Sequence, residues 1–428
     1  MTMKKPVKIA AISAALLLGS AGIAAVAGQQ TQKDIQAQLS RTQKALNDSG
    51  MATVVSGPFQ GNAFGGTQTT TITVLPESED PLVITLNSRV YSGPFPQGKR
   101  FGAATVITNV LFEPDLQAQL DKAFGGKKIE LNTLVQFGGT STTTFKVPGG
   151  TLTDEGTTVA WQPAGGTVRA AGNQVFTAGE WPGAQVTGEE LRMNFGRVQW
   201  DLKAAQAADN LGDGMGNITL AELKVSGADG ADFALKGLNV RTESRGSATT
   251  FDSMVSYGIK ALTVGGKDIE DIKLNLTLKN LDRSALVKLN EATRGGKTLS
   301  DRTIDGIVSE MLGAKPALVL DRLSVGTGQD EVRLNGLIGM KAPAGTDWTR
   351  VSENPELLMG LLHVKVHGEA ERAALIDLLS TVAPSPEMAP ELINMGEKSG
   401  MLIKEGSRIV TDVSLSEHGL MVNGQPLQ

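Results

Sequence analysis

The chain of 428 residues contains three histidines and no cysteine, which narrows the chemistry it can perform. His363 and His367 stand four residues apart, the separation of a helical zinc pair. The residues around them, Leu362 to Val366, alternate between apolar and polar side chains, which is typical of a strand. On a strand four residues span about 13 Å, too far for both imidazoles to reach one metal ion. We therefore expect both histidines on a solvated strand face and predict no metal site.

Two glycine-rich segments resemble ligand loops only in part. Arg294 to Thr298 reads RGGKT, but Glu291 stands where a phosphate-binding loop requires its first glycine. We interpret this segment as a glycine stop after a helix. Asp209 to Asn217, DNLGDGMGN, has the composition of a calcium loop, yet Leu211 and Leu220 occupy ligand positions of the EF-hand pattern. A solvated turn is the favoured interpretation, and an irregular cation loop is the alternative.

Motifs for nucleophilic or acid–base catalysis are equally sparse. No Gly-x-Ser-x-Gly elbow occurs, thiolates are excluded, and His418 lies in a turn. The acidic groups Glu189-Glu190 and Asp268 to Asp271 are interpreted as solvated. We predict a non-enzymatic protein with no catalytic residue and no cofactor. A carboxylate-based wall hydrolase remains an alternative, because carboxylates that meet only in the folded chain are invisible in a sequence.

The segment from Tyr91 to Gly102, YSGPFPQGKRFG, contains two prolines, three glycines and two phenylalanines. Proline fixes the backbone and glycine permits turns, so the segment predicts a stiff corner between two strands. We expect Phe95 and Phe101 to pin this corner to the sheet. Lys99 and Arg100 are expected to project outward, where they can meet a phosphate head group or an acidic partner. These four residues are the candidate ligand or partner contacts.

Composition and the N-terminus indicate an exported, folded protein. A net charge of −5 and a pI near 5.5 give no electrostatic reason to expect nucleic acid as a partner. The basic start, the apolar stretch from Ile9 to Ala27 and the motif Ala25-Val26-Ala27 predict export. Residues 1–27 are then either a cleaved signal peptide or a retained membrane anchor. The predicted location is extracytoplasmic, in the periplasm or cell envelope.

The remaining chain has the pattern of a β-rich protein. Residues 28–50 predict a helical stalk, 51–280 an N-terminal β-rich region, and 281–428 a C-terminal α+β region that continues the sheet. Alternating segments predict strands at 67–74, 82–90, 103–112, 128–137, 141–147, 193–202, 218–225, 233–243, 268–278, 317–325, 331–340, 362–369 and 408–415. Amphipathic segments predict helices at 113–124, 281–292, 301–312, 370–382 and 387–398. The fold class expected is β-dominated α+β, with a long curved antiparallel sheet and a few amphipathic helices covering one face.

Three segments carry a resemblance to a known family. They are Asn87–Gly98 (NSRVYSGPFPQG), Thr277–Leu289 (TLKNLDRSALVKL) and Gly400–Pro426 (GMLIKEGSRIVTDVSLSEHGLMVNGQP). In this order the chain resembles the YdgA-like family of bacterial envelope proteins, a family of unknown function. Ser92 stands where members often carry histidine before Gly-Pro-Phe-Pro, so any role of that imidazole is absent here. The resemblance implies a membrane-proximal N-terminus and an extracytoplasmic body, and it supplies no catalytic residue.

The sequence therefore predicts a non-enzymatic envelope protein that binds a lipid or other apolar ligand along a groove of its sheet. The alternative is a structural or assembly protein that docks on other envelope proteins. Envelope proteins or lipids are the expected partners, with inner-membrane association and a homo-oligomer among the options.

Overall fold

The computed structural model describes residues 52–426, with gaps at 63, 75–80, 97–100, 155, 190, 206–210, 228–231, 294–299, 327–330, 342–345, 347–349, 352–353, 355–356, 358–359, 383–384, 386 and 417–418. The predicted signal or anchor, residues 1–27, and the predicted stalk, residues 28–50, lie outside the described residues. Of the helices that are described, none is long and apolar enough to cross a membrane.

The fold is β-dominated α+β with antiparallel strand pairing, which confirms the predicted class. The chain forms two compact units, the first extending to Ala207 and the second covering most of the chain from Ala208. The boundary predicted at residue 281 marks a different feature, the change from strands to a helix, and stays a prediction as a domain boundary.

The first unit contains fourteen described strands and one described helix. They are β1 (Ala52–Ser56), β2 (Gln60–Asn62), β3 (Gly65–Val74), β4 (Leu82–Ser92), β5 (Ala104–Phe112), α1 (Pro114–Ala123), β6 (Glu130–Val135), β7 (Ser141–Val147), β8 (Gly150–Asp154), β9 (Thr157–Trp161), β10 (Ala164–Ala171), β11 (Gln174–Trp181), β12 (Ala184–Thr187), β13 (Leu191–Phe195) and β14 (Val198–Ala205). Strands β1 and β2 both pair with β3, and the order continues β4, β5, β6, β7, β10, β11, β14. Strands β8, β9, β12 and β13 form another ladder.

The core of this unit lies where α1 covers one face of the sheet. In the first half of β4 buried and half-buried residues alternate, so Leu82, Ile84 and Leu86 point to this face and are buried. Helix α1 begins with proline at its first turn, and its Leu120 is 1% exposed in the same cluster. Phe124 follows the helix and meets Trp161 edge-on, with ring centroids 6.0 Å apart. Burial of each of these side chains stabilises the fold by about 1.5–3 kcal/mol.

Glycines let two aromatic rings lie flat across the sheet further along. Phe145, Gly166, Gly179 and Trp200 pair in one row across β7, β10, β11 and β14. The rings of Phe145 and Trp200 are stacked at 6.3 Å with an interplanar angle of 14°. A Cβ atom on Gly179 would lie 2.1 Å from the Trp200 ring, so the ring occupies the space a side chain would take.

The second unit contains the other described elements. They are β15 (Gly214–Gly227), β16 (Asp232–Gly246), β17 (Thr250–Val264), β18 (Lys267–Asp282), α2 (Arg283–Thr293), α3 (Asp301–Gly313), β19 (Ala317–Val325), β20 (Val332–Met340), β21 (Leu362–Glu371), α4 (Arg372–Val382), α5 (Met388–Lys398), β22 (Ile403–Glu405), β23 (Arg408–Ser416), β24 (Gly419–Val422) and β25 (Gln425–Pro426). Strands β15 to β21 pair in sequence order, and β21 then pairs with β23. Strands β22 and β24 both pair with β23, and β25 pairs with β24.

The region between β21 and β23 packs on one face of this sheet. Ala370 of β21 pairs with Ile409 of β23, and both are buried, as is Ile393 of α5. Thr411 points to the same face as Ile409, and its hydroxyl donates to the Met401 carbonyl at 2.8 Å. Val410 and Asp412, which alternate with Ile409 and Thr411 along β23, point to the opposite face.

One predicted strand is wrong. Residues 193–202 form parts of two strands, because β13 pairs with β12 whereas β14 pairs with β11. The chain changes partner at Gly196-Arg197, which separates the two strands. The remaining predicted strands and helices are present, β7 and β19 with the predicted ends and the others with shifted ends. The strands that were not predicted are β1, β2, β8 to β12, β17, β22, β24 and β25.

Candidate functional site

Three connections lie at one end of the first unit's sheet. Gly65 pairs with Tyr91, and Tyr91 pairs with Thr105, so the β2–β3 and β4–β5 connections are neighbours. Ala104 pairs with Val135, which adds the β6–β7 turn. Because adjacent strands run antiparallel, all three connections leave the sheet at the same end.

These connections carry a cluster of exposed phenylalanines. The rings of Phe95 and Phe101 lie 5.5 Å apart, and those of Phe101 and Phe137 lie 5.1 Å apart, both pairs tilted. Phe95 is 63% exposed, Phe101 66% and Phe137 43%. We call these three residues the aromatic tip. Phe64, in the neighbouring β2–β3 turn, is 83% exposed.

The predicted corner is present, but its phenylalanines do not pin it to the sheet. The backbone itself holds the loop: the Gly102 amide donates to the Pro94 carbonyl at 3.2 Å, and the Ala103 amide to the Val135 carbonyl at 2.8 Å. Pro96 is buried, and Gly93 adopts a φ of +121° that other residues resist. The prediction that Phe95 and Phe101 are anchors is therefore wrong. Backbone hydrogen bonds and a buried proline fix the corner and leave both rings in solvent.

The three sequence stretches that carry the aromatic tip contain no acidic residue. The stretches 52–76, 81–112 and 131–153, which include all three connections, lack both aspartate and glutamate, although the whole chain has 45 of them. Lys99 and Arg100 fall between Phe95 and Phe101 in the sequence and lie outside the described residues. The segment that presents the rings is therefore cationic within an acidic protein.

A second feature is an open groove of about 620 Å³ on the sheet of the second unit. It crosses β19, β20, β21 and β23 between two rows of side chains that share one face. One row is largely polar, and the other begins with apolar residues: Asp321, Asn335, His367 and Asp412 form the first, and Val319, Leu337, Lys365 and Ser414 form the second. The backbone between the rows forms the floor, because intervening side chains point away. We call this the transverse groove.

Cross-strand hydrogen bonds order the polar row. His367 Nδ1 lies 2.8 Å from Asp412 Oδ1, and the Thr277 hydroxyl donates to Asp321 Oδ2 at 2.5 Å. The prediction that His367 is a strand residue is confirmed, but sequence reasoning missed its partner, 45 positions away. In the described part of the chain no hydroxyl bonds to this imidazole, so His367 and Asp412 form a pair without a nucleophile.

The two carboxylates of the groove are also badly placed for hydrolysis of a glycosidic bond. Asp321 and Asp412 lie three strand spacings apart, about 14 Å, whereas that chemistry requires about 5–9.5 Å. Within the described ranges no group of three or more histidine, cysteine, aspartate or glutamate residues could hold a metal ion.

His363 differs from the solvated residue that we predicted. It is half-buried on β21, and its Nδ1 atom is buried without a hydrogen-bond partner among the described residues. Burial lowers the pKa of His363, and the positive charges of Lys341 and Lys365 lower it further. The ring is four positions from His367 on a strand, so the expected separation of the two histidines is confirmed.

The other loop motifs give little support for ligand binding. Asp213 of the glycine-rich segment accepts a hydrogen bond at 2.8 Å from the Gly246 amide, 33 positions away, so its carboxylate ties the start of β15 to the end of β16. The RGGKT segment from Arg294, and His418, lie outside the described residues.

These observations define a protein of antiparallel sheets with an exposed aromatic loop end and a separate mixed groove. The chain belongs to a family described as bacterial protein of unknown function (DUF945), whose model matches residues 3–428. The resemblance to YdgA-like proteins is consistent with this membership. No curated protein and no solved structure matches the chain.

Proposed function

We propose that this protein is a non-enzymatic, extracytoplasmic protein of the cell envelope that binds an anionic lipid surface through its aromatic tip. The observation that carries the proposal is the contact of three exposed phenylalanine rings in a chain with only 4% aromatic residues. Contiguous apolar surface exposed to water marks an interaction site more often than isolated apolar residues do.

The rings favour a membrane for energetic reasons. Moving a phenylalanine side chain fully out of water contributes about 1.5–3 kcal/mol, so partial insertion of three rings contributes several kcal/mol. The three rings of the aromatic tip lie on connections between strands. The backbone groups of these connections can stay hydrated among the lipid head groups while the rings enter the acyl boundary. The lipid therefore contacts the loop end of the sheet, not the sheet groove that the sequence predicted.

Charge selects an anionic surface. Each basic residue near such a membrane contributes about 1 kcal/mol, and Lys99 and Arg100 lie in sequence between two of the inserting rings. The acid-free stretches around the tip leave no carboxylate in those segments to oppose the attraction. This contribution weakens with added salt, whereas the apolar contribution does not.

Insertion is tested directly by placing a fluorophore at the aromatic tip. In Phe101→Trp the new indole should shift to shorter wavelength on phosphatidylglycerol vesicles and be quenched by brominated lipid. Val264→Trp is the matched control, because Val264 is 52% exposed and lies in the second unit. An unshifted and unquenched indole at position 101 would refute insertion, whatever the N-terminal segment contributes to vesicle binding.

The charge contribution has its own control. Lys99→Glu with Arg100→Glu should weaken binding to phosphatidylglycerol vesicles and remove most of its salt dependence. Lys127→Glu with Lys128→Glu changes an exposed basic pair at the other end of β6 and should have little effect. Equal losses in both double variants would indicate general electrostatics and contradict a role of the tip.

The location and partners form part of the same proposal. The N-terminal apolar segment supports export, and either cleavage or anchoring would leave the body outside the cytoplasm. If the tip instead enters a pocket of another envelope protein, crosslinking from position 101 in cells gives a protein adduct, and the indole at 101 stays unquenched by lipid.

A further inference from the structure

We propose that the transverse groove of the second unit binds a neutral saccharide chain. The site is separate from the aromatic tip and does not rest on the lipid-binding proposal. Its volume of about 620 Å³ is within the range of small-ligand sites. The groove crosses four strands, so its polar row is about 14 Å long and accommodates a short oligosaccharide.

The charges of the groove exclude strongly charged ligands. The lining contains the carboxylates of Asp321 and Asp412 and the single ammonium group of Lys365, so groups of both signs face a ligand. A phosphate or nucleotide would meet two carboxylates, and a polyamine would meet the ammonium group. A ligand without net charge meets neither opposition.

An acyl chain is excluded by the polar row. Covering Asp321 and Asp412 with hydrocarbon would remove both carboxylates from water without supplying hydrogen bonds, at a large cost. The groove is therefore a poor site for the apolar ligand that the sequence predicted. A ligand must offer hydroxyl or amide groups to one side and an apolar surface to the other.

A sugar ring has those two kinds of surface. Its hydroxyls can donate to the carboxylates and to the amide oxygen of Asn335, and can accept from the Asn335 amide and the Lys365 ammonium. Its C–H face can lie against Val319 and Leu337 in the opposite row. Asn335, Lys365 and Ser414 make no side-chain hydrogen bond to other described residues, so these groups are available to a ligand.

The polar groups are also held in place before a ligand arrives. His367 is fixed by Asp412, and Asp321 by Thr277, across neighbouring strands. The Asp412 backbone is tied to Asn423, whose Oδ1 accepts from the Asp412 amide at 2.7 Å. Preorganised donors and acceptors reduce the entropy lost on binding. No aromatic residue lines the groove, so we expect weak binding, with a Kd on the order of 1 mM.

The experiment measures binding of chitotetraose and cellotetraose to the whole protein by saturation-transfer NMR and calorimetry. Laurate and inorganic phosphate serve as the apolar and anionic comparisons. We expect at least one tetrasaccharide to bind and both comparison ligands to fail at this site. Asn335→Ala and Asp412→Asn should each weaken that binding about tenfold or more.

Matched variants separate loss of the site from loss of the fold. Asn275→Ala changes an asparagine of β18 that pairs with Arg322, outside the groove lining, and should bind as the unaltered protein does. Lys365 is exposed, so Lys365→Ala should retain the melting temperature while weakening the saccharide. Absence of binding by both tetrasaccharides, or binding unchanged in all groove variants, overturns the proposal. Laurate binding that Asn335→Ala abolishes would overturn it as well.

Discussion

Substitutions at Phe95 and Gly93 distinguish a structural role of the Phe95 ring from a binding role. Phe95 is 63% exposed, so Phe95→Ala should change the free energy of unfolding by less than about 1 kcal/mol. A ring pinned under the sheet would cost about 3 kcal/mol or more. Gly93→Val should destabilise more than Phe95→Ala does, because its φ of +121° opposes a β-branched residue. Urea unfolding of both variants checks this order, and the reverse order would restore the anchoring role of Phe95.

A single histidine should give the second unit a pH-dependent stability. The pKa of His363 is lowered in the folded protein by burial and by two lysines, so the unfolded chain takes up a proton first as pH falls. The contribution of His363 is present above its unfolded pKa and is lost on acidification. His363→Gln should therefore lose less stability than the unaltered protein between about pH 7.5 and about pH 5.5. An identical pH slope with and without His363 would contradict the assignment.

Residue types alone could not reveal exposure at the aromatic tip. The sequence shows the prolines and glycines of 91–102, and it shows Phe-Gly-Gly at 64, 124 and 137. In the structure Phe124 is a core residue after α1, whereas Phe64 and Phe137 are exposed in turns at the tip end. The same three letters thus serve a helix end and two hairpins. The distinction depends on strand register, which brings residues 65, 91, 105 and 135 to one end.

At the level of the element, strands were predicted where strand-forming side chains follow one another, and strands were missed where glycines interrupt them. Strand β7 was predicted with its observed ends, because β-branched and aromatic residues dominate 141–147; in the structure Ser141, Thr143 and Phe145 are its buried positions. Strands β10 and β11 were missed, since Gly166 and Gly179 interrupt the pattern. Their apolar face is supplied by the Phe145 and Trp200 rings of neighbouring strands, which a local pattern cannot contain.

The same aromatic row gives a test at the level of the element. Gly179→Ala would place a Cβ atom 2.1 Å from the Trp200 ring, so the ring must leave its stacked position. We expect a loss of about 1–3 kcal/mol in the free energy of unfolding, typical of overpacking. Gly258→Ala is the control, because no atom lies within 4 Å of the corresponding position in β17. Chemical denaturation measures both; equal stability of the two variants would show that the stacked row contributes nothing.

For the molecule as a whole, the sequence predicted the class of fold and the candidate contacts in residues 91–102, but it did not predict the transverse groove. Alternation and turn residues were sufficient for a β-dominated antiparallel architecture. The transverse groove joins residues from β19 to β23, and its His367–Asp412 bond depends on the register between β21 and β23. Helices α4 and α5 lie between these two strands in the chain, so no local spacing indicates the pair.

The fate of the N-terminus determines how much the aromatic tip must contribute in the cell. We predict cleavage after Ala27, motivated by Ala25-Val26-Ala27, and N-terminal sequencing of the protein from its own envelope should then begin at Gly28. Loss of Lys4, Lys5 and Lys8 without any acidic residue would change the net charge from −5 to −8.

Cleavage has a consequence for membrane association that anchoring does not. A cleaved chain depends on the aromatic tip, so Phe95→Ser with Phe101→Ser should move the protein from the membrane fraction to the soluble fraction. A retained apolar segment of about 20 residues would hold the same variant on the membrane, leaving the tip as a second contact. Sequencing that finds Met1 or Thr2 as the first residue, with the double variant still in the membrane fraction, would contradict cleavage and establish the anchor.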